Sequence, residues 1–171
     1  MSADSPRWMR TLPRWLVVGP ATLGPVGMKL PAPGTWGSLA GVLYALVFFR
    51  RLGWEQTIVW TAIMSLVAVY VTGEAARRLG KTDPGEVILD EFVVMPLVFL
   101  GWHAGYPGRL PDWAVVLAGF AAFRFFDILK PLGISRLQDL PGGWGIVADD
   151  FVAALASCAT LHLGAWFWAL R

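Results

Sequence analysis

Charged residues divide the chain into five long apolar stretches, and this spacing predicts five helices. Uncharged runs extend over Leu30–Phe49, Gln56–Gly73, Phe92–Gly108 and Phe151–Leu170, and a further stretch, about Asp112–Pro131, is apolar through Phe123 before charge returns. Each approaches the roughly 20 residues that a helix needs to cross the hydrocarbon of a bilayer. The first run opens with Pro and Gly, so its helical part is expected over about Thr35–Phe49, short for a span and suited to a re-entrant segment.

Composition sharpens this pattern. Of 171 residues, 56% are hydrophobic and only 15% charged, which is too apolar for an ordinary soluble globule. The expected fold class is all-α, an integral membrane helical bundle of about five segments. Trp36, Trp54, Trp102, Trp113, Trp144, Trp166 and Trp168 lie near segment ends, where amphipathic rings settle at headgroup depth. The basic opening SPRWMRTLPRWLVVGP lacks an unbroken apolar run, so residues 1–20 read as an interfacial arm rather than a cleaved signal. Residues 21–171 then form one membrane-embedded domain. A net charge of +2 with no basic run argues against nucleic acid, and the lone Cys158 excludes a disulfide framework.

If all five segments cross, one side of the membrane receives ten of the 14 basic residues, which makes that side cytoplasmic. The same side receives nine of the 12 acids: Glu74, Asp83, Glu86, Asp90, Glu91, Asp127, Asp139, Asp149 and Asp150. Solubility alone does not sort acids this way. Three segment junctions converge acid, base and glycine on one face, as an interfacial active site requires.

Asp83-Pro84-Gly85-Glu86 has the spacing of a helix start, with an N-cap acid, proline at the first position and glutamate three residues on. Asp90 and Glu91 are then expected two turns inside that helix, with Glu86 and Asp90 stacked on one face. Like charges at that spacing repel, and burial near hydrocarbon raises the cost. A divalent ion such as Mg²⁺, which takes one or two carboxylates, keeps waters and shares a phosphate, would offset them; a solvated or Arg-paired acidic end is the plainer alternative.

At the second junction Arg124 and Asp127 share a helical face, and Lys130 precedes a Pro131 that should stop the helix. They read either as a structural ion pair or as a phosphate grip beside an acid. Gly142-Gly143-Trp144-Gly145 is expected to approach a ligand with bare backbone, and Asp149-Asp150 opens the last segment. At the third junction, Gly24–Gly41 carries Lys29, Thr35 and Ser38 on glycine-rich backbone entering a helix, an arrangement that favours anions. Glu74, at the inner end of the second segment, reads equally as an exposed helix-end acid.

Cys158 lacks the downstream arginine of a cysteine phosphatase loop, His103 falls on the opposite side and His162 in mid-segment. Carboxylates with a metal remain, an arrangement in which the ion polarises a phosphoryl oxygen and activates water. The residues alone therefore point to a cytoplasm-facing, Mg²⁺-dependent site for a phosphorylated amphiphile.

PAPGTWGSLAG, DPGEVILDEFV and FRFFDILKP with GGWGIVADDFVAA, in this order over about Gly24–Ala156, resemble phosphatidylglycerophosphatase A. The resemblance implies a small bacterial inner-membrane protein, a compact α-bundle, and Mg²⁺-dependent removal of the terminal phosphate of phosphatidylglycerol phosphate. By this likeness Asp90, Glu91, Asp127, Asp149 and Asp150 are expected to supply metal ligands or the base, and Glu74 and Asp83 sit where members commonly place acids; Glu86 is a further metal candidate from its spacing, and Lys29, Thr35, Ser38, Arg124 and Lys130 are expected to contact phosphate. Val94 stands where the family often has glycine. A transporter with an acidic ion site is the rival reading, although it predicts charge through the bilayer depth. A CDP-alcohol phosphotransferase would need a string of aspartates on successive helical turns that does not occur here.

Overall fold

The computed structural model describes residues 6–102 and 111–169. The described secondary structure is entirely helical: α1 (Arg7–Thr11), α2 (Arg14–Ala21), α3 (Pro25–Lys29), α4 (Pro33–Tyr44), α5 (Trp54–Leu79), α6 (Leu89–Val98), α7 (Asp112–Leu129) and α8 (Gly143–Ala169). A π-turn, Ala45–Phe49, prolongs α4, and a 3₁₀ segment, Pro131–Asp139, links α7 to α8.

Among the described residues, α5 and α8, of 26 and 27 residues, are the helices long and apolar enough to cross a bilayer. Of the five expected segments, two meet this measure of a span. In the described part of the run Phe92–Gly108 stands the ten-residue α6, Leu89–Val98, about 15 Å long at 1.5 Å per residue, which is half the hydrocarbon thickness. Residues 103–110, His103 among them, lie outside the described part. The 18-residue α7 carries Asp112, Arg124 and Asp127 within its length, and α4 with its π-turn reaches only Phe49.

The short α6 is the centre of the bundle, packed against α4, α5 and α8. Val93, Val94, Met95, Leu97 and Val98 are all buried with Phe123 of α7, Ala68 and Val69 of α5, and Ala153 and Ala154 of α8. A helix apolar on every side is stable only when enclosed, and here neighbouring helices enclose it. Two glycine contacts set the spacing. On α4, a Cβ at Gly41 would stand 2.8 Å from Met95 Cβ. Where α8 begins against α5, a Cβ at Gly143 would stand 1.7 Å from the Val69 carbonyl oxygen, so these backbones touch.

The expected N-terminal arm is bound to the bundle, and its expected boundary at residue 20 falls within α2. Val17, Val18 and Ala21 pack on Ala75 and Ala76 of α5, Val87, and Ile146 of α8. Glu74, fully buried on α5, accepts from Arg77 Nε (2.8 Å) and Arg78 Nε (2.6 Å). Arg78 in turn donates to the carbonyls of Leu12 (3.0 Å) and Met9 (2.7 Å). Removing one partner of such a network strands the rest without solvent. Arg78→Ala is expected to destabilise the protein by about 3 kcal/mol and to open the Leu12–Pro13 region to proteolysis, measured by denaturant unfolding and limited digestion. Unchanged stability would reduce this contact to surface decoration.

Candidate active site

The segment that delivers the first acids does not fold as its local spacing suggests. Residues 83–88 form a turn and α6 begins only at Leu89, with Ile88 at the N-cap. The Ile88 N–H is taken by the Ala21 carbonyl at 2.9 Å, and the Glu86 carbonyl lies so close to α3 that a Cβ at Gly27 would be 2.1 Å from it. Packing against α2 and α3 thus holds this backbone out of the helix, and the expected cap at Asp83 and Glu86 does not form. Asp90 and Glu91 consequently occupy the first turn of α6, where the helix dipole favours acids, and Glu86 is not stacked on Asp90.

That placement directs Asp90 and Glu91 into a cavity of about 410 Å³. Asp127 reaches it from the last turn of α7, Asp149 and Asp150 from α8, and Asp83 from the turn before α6. Arg124 and Lys130 line the same cavity, so six carboxylates face two fixed cations. Asp150 lies within electrostatic reach of Asp90, Asp127, Glu91 and Asp149. Asp90, Asp149 and Asp150 are all under a tenth exposed, where water screens repulsion poorly.

The cations are placed by the chain's own geometry. Pro131 ends α7 as its sequence predicts, and Lys130 takes the left-handed conformation at the C-cap (φ 44°). From there its ammonium pairs with Asp149. Arg124 Nη1 donates to Asp127 Oδ2 at 2.6 Å, Glu91 Oε1 at 3.0 Å and Ser38 Oγ at 3.2 Å. Asp149 Oδ1 accepts the Asp150 N–H at 3.1 Å. After these bonds, Asp90 Oδ1 and Glu91 Oε2 remain buried with no hydrogen-bond partner.

Several sequence candidates stand elsewhere. Glu74 belongs to the Arg77–Arg78 cluster and does not line the cavity. Glu86 pairs with Lys81 outside it, and that hydrogen bond holds its carboxyl below the usual carboxylate range. Lys29 and Thr35 are not on the wall, and Ser38 is buried behind Arg124. The glycines of the last junction serve packing: a Cβ at Gly145 would be 2.6 Å from the Leu140 carbonyl, so the chain rather than a ligand uses the bare backbone at Gly143 and Gly145. His162 Nε2 lies 2.8 Å from the Leu100 carbonyl, remote from the acids. Ile128 joins the wall unforeseen, although its place one turn after Arg124 was a signal for it.

The donor set suits a hard divalent ion such as Mg²⁺, since it consists of carboxylate oxygens. Among the described residues no three Asp, Glu, His or Cys side chains are assembled around a common ion position. Mg²⁺ takes one or two carboxylates and completes its shell with water and phosphate, so Asp90 and Glu91, two cavity-lining acids each with a carboxylate oxygen left unpartnered, meet that smaller requirement.

Comparison with known proteins places the chain in a family. The family profile for phosphatidylglycerophosphatase A matches residues 20–165. Phosphatidylglycerophosphatase A of Haemophilus influenzae is 39% identical over 130 residues, covering 75% of this chain and 76% of its own. That of Escherichia coli is 31% identical over 147 residues, covering 84% and 80%. A protein of Bacteroides thetaiotaomicron with the provisional name of a phosphatidylinositol-3-phosphatase is 31% identical over 79% of this chain and 84% of its own. No solved structure matches. The acids of the cavity fall on the matched region, and the chain belongs to the phosphatidylglycerophosphatase A family, a phosphoric monoester hydrolase by class.

Proposed function

We propose that this protein hydrolyses the terminal phosphate of phosphatidylglycerol phosphate, in a Mg²⁺-dependent reaction at the cytoplasmic face of a bacterial inner membrane. The observation that carries this reading is the pair of buried, unpartnered oxygens, Asp90 Oδ1 and Glu91 Oε2, on a cavity with an excess of four acids over cations. Asp90 and Glu91, with Asp127, Asp149 and Asp150 around them, would hold the ion. Bound there, Mg²⁺ supplies Lewis-acid polarisation of the phosphoryl oxygen and a more acidic attacking water.

The chain's own groups supply the rest. Lys130 and the part of the Arg124 guanidinium beyond Nη1 offset charge on the phosphoryl oxygens as the ester bond breaks. A carboxylate of the cluster accepts a proton of the attacking water as its oxygen bonds to phosphorus and returns that proton to the departing oxygen as the P–O bond to the lipid breaks, so the lipid leaves as the free alcohol and inorganic phosphate remains. Ile128, which lines the cavity, is exposed, as are Leu129 and Leu132, the last 90% exposed on a left-handed backbone turn. Such a rim lets acyl chains remain in the lipid while the phosphate turns inward, which favours a membrane lipid over a soluble ester.

The multi-pass arrangement belongs to the same proposal: α5 and α8 cross, and the shorter α4, α6 and α7 lie in the membrane beside them. Charge lies near the ends of α5 and near the start of α8 while their middles carry none, which favours an interfacial enzyme over a transporter. Detergent-purified protein is expected to release inorganic phosphate from phosphatidylglycerol phosphate with Mg²⁺ and to stop in EDTA. Absence of release from folded protein with lipid and metal present would end this reading, and release that persists in EDTA would remove the metal from it.

A further inference from the structure

The glycine-rich turn that opens α4 has its anion already, and that anion belongs to the protein. A Cβ at Gly34 would stand 2.2 Å from Glu91 Oε1, and its three nearest atoms are all of the Glu91 carboxylate. One turn on, a Cβ at Gly37 would stand 2.6 Å from Glu91 Oε2. Arg124 Nη1 holds Oε1 from the other side, and Ser38, which donates to the Gly34 carbonyl at 2.8 Å, ties that guanidinium to the same turn. Oε2 alone is left without a partner.

We propose that Gly34, Gly37, Ser38 and Arg124 are positioning residues that form a seat for the Glu91 carboxylate. The seat fixes one oxygen and presents the other to the chemistry of the cavity. It rests on the reading of Glu91 as one of the reacting acids, and it gives the Pro33–Ser38 turn a task other than gripping phosphate. Three features act together. The glycines make room where any side chain would collide, the positive end of the α4 dipole faces a carboxylate, and Arg124 sets its rotation.

The obvious objection is that these glycines serve helix packing alone. Gly34 separates the two ideas, because its backbone is compatible with alanine and the three atoms nearest to an added Cβ all belong to Glu91. Alanine is the better helix former, so without Glu91 it should stabilise. The test is a melting-temperature cycle in detergent on wild type, Gly34→Ala, Glu91→Ala and the double variant, with kcat and KM for Gly34→Ala. Gly34→Ala is expected to lower Tm by roughly 2–4 °C when Glu91 is present and to raise it in the Glu91→Ala background. Its kcat should fall at least about tenfold with KM little changed, since a displaced acid loses rate rather than lipid binding. A rise in Tm in both backgrounds, or a wild-type kcat in Gly34→Ala, would overturn the seat. If wild type releases no phosphate, the proposed function fails, yet the melting cycle still decides whether the seat exists.

Discussion

Replacing Asp90 with asparagine is expected to cut kcat by about 10³-fold or more while leaving the protein at least as stable as wild type. The two halves share one cause. Asp90 is 6% exposed, its Oδ1 has no hydrogen-bond partner, and Glu91, Asp83 and Asp149 repel it. In the absence of a bound cation this carboxylate is a burden on the fold, and a neutral isostere relieves it. Strain retained at a reacting group and offset elsewhere is characteristic of sites kept for chemistry. Removing a carboxylate that would hold the ion facing the phosphoryl oxygens costs several kcal/mol of transition-state energy, hence the loss of about three orders of magnitude. The measurement is phosphate release beside a thermal melt of the same preparation. A variant with wild-type kcat would take Asp90 out of the mechanism, and one that loses activity only by unfolding would make its role architectural.

Gly143→Ala is expected to destabilise the protein by more than about 3 kcal/mol, since its added Cβ would meet the tightest contact given for a glycine among the described residues. An added Cβ would lie 1.7 Å from the Val69 carbonyl oxygen and 2.6 Å from its carbon, so neither backbone can keep its place. A flexible side chain could turn aside, but a backbone carbonyl within a helix cannot move without loss of its own hydrogen bond. The consequence reaches the site, because α8 carries Asp149 and Asp150 less than two turns beyond this contact. Gly164→Ala on the same helix meets nothing within 4 Å and serves as the control, expected to be neutral or stabilising. Equal yields and melting temperatures for the two variants would refute the close approach of α5 and α8.

The sites of chemistry were legible because they disturb an otherwise apolar pattern. Asp90, Glu91, Asp127, Asp149 and Asp150 stand out as acids beside uncharged runs, and the folded chain brings all five to one cavity with Arg124 and Lys130. The stop after α7 was equally plain, since proline forbids continuation. Glu74 and Glu86 share the same composition signal but not the same surroundings. Arg77 and Arg78 claim one, Lys81 the other, and the claimants became visible only when folded.

Local signals misled where a distant partner competed for the backbone. The Asp83–Glu86 cap was sound by spacing, yet the Ala21 carbonyl captured the Ile88 N–H and delayed the helix to Leu89. The glycine-rich turns at Gly34 and Gly143, expected to meet an anion or a ligand, each meet another part of the chain. What approaches, Glu91 in one and the Val69 carbonyl in the other, is a contact across many residues.

The sequence by itself determined the helical class, the apolar lengths, the family and the identity of the acids, because hydrophobic runs and charge positions are properties of the chain in order. The tertiary structure alone decided which helices are long enough to cross, which acids share the cavity, and which oxygens are left without partners. Those outcomes depend on competition between groups far apart in sequence for the same hydrogen bonds, charges and space. Only the folded chain brings the competitors together.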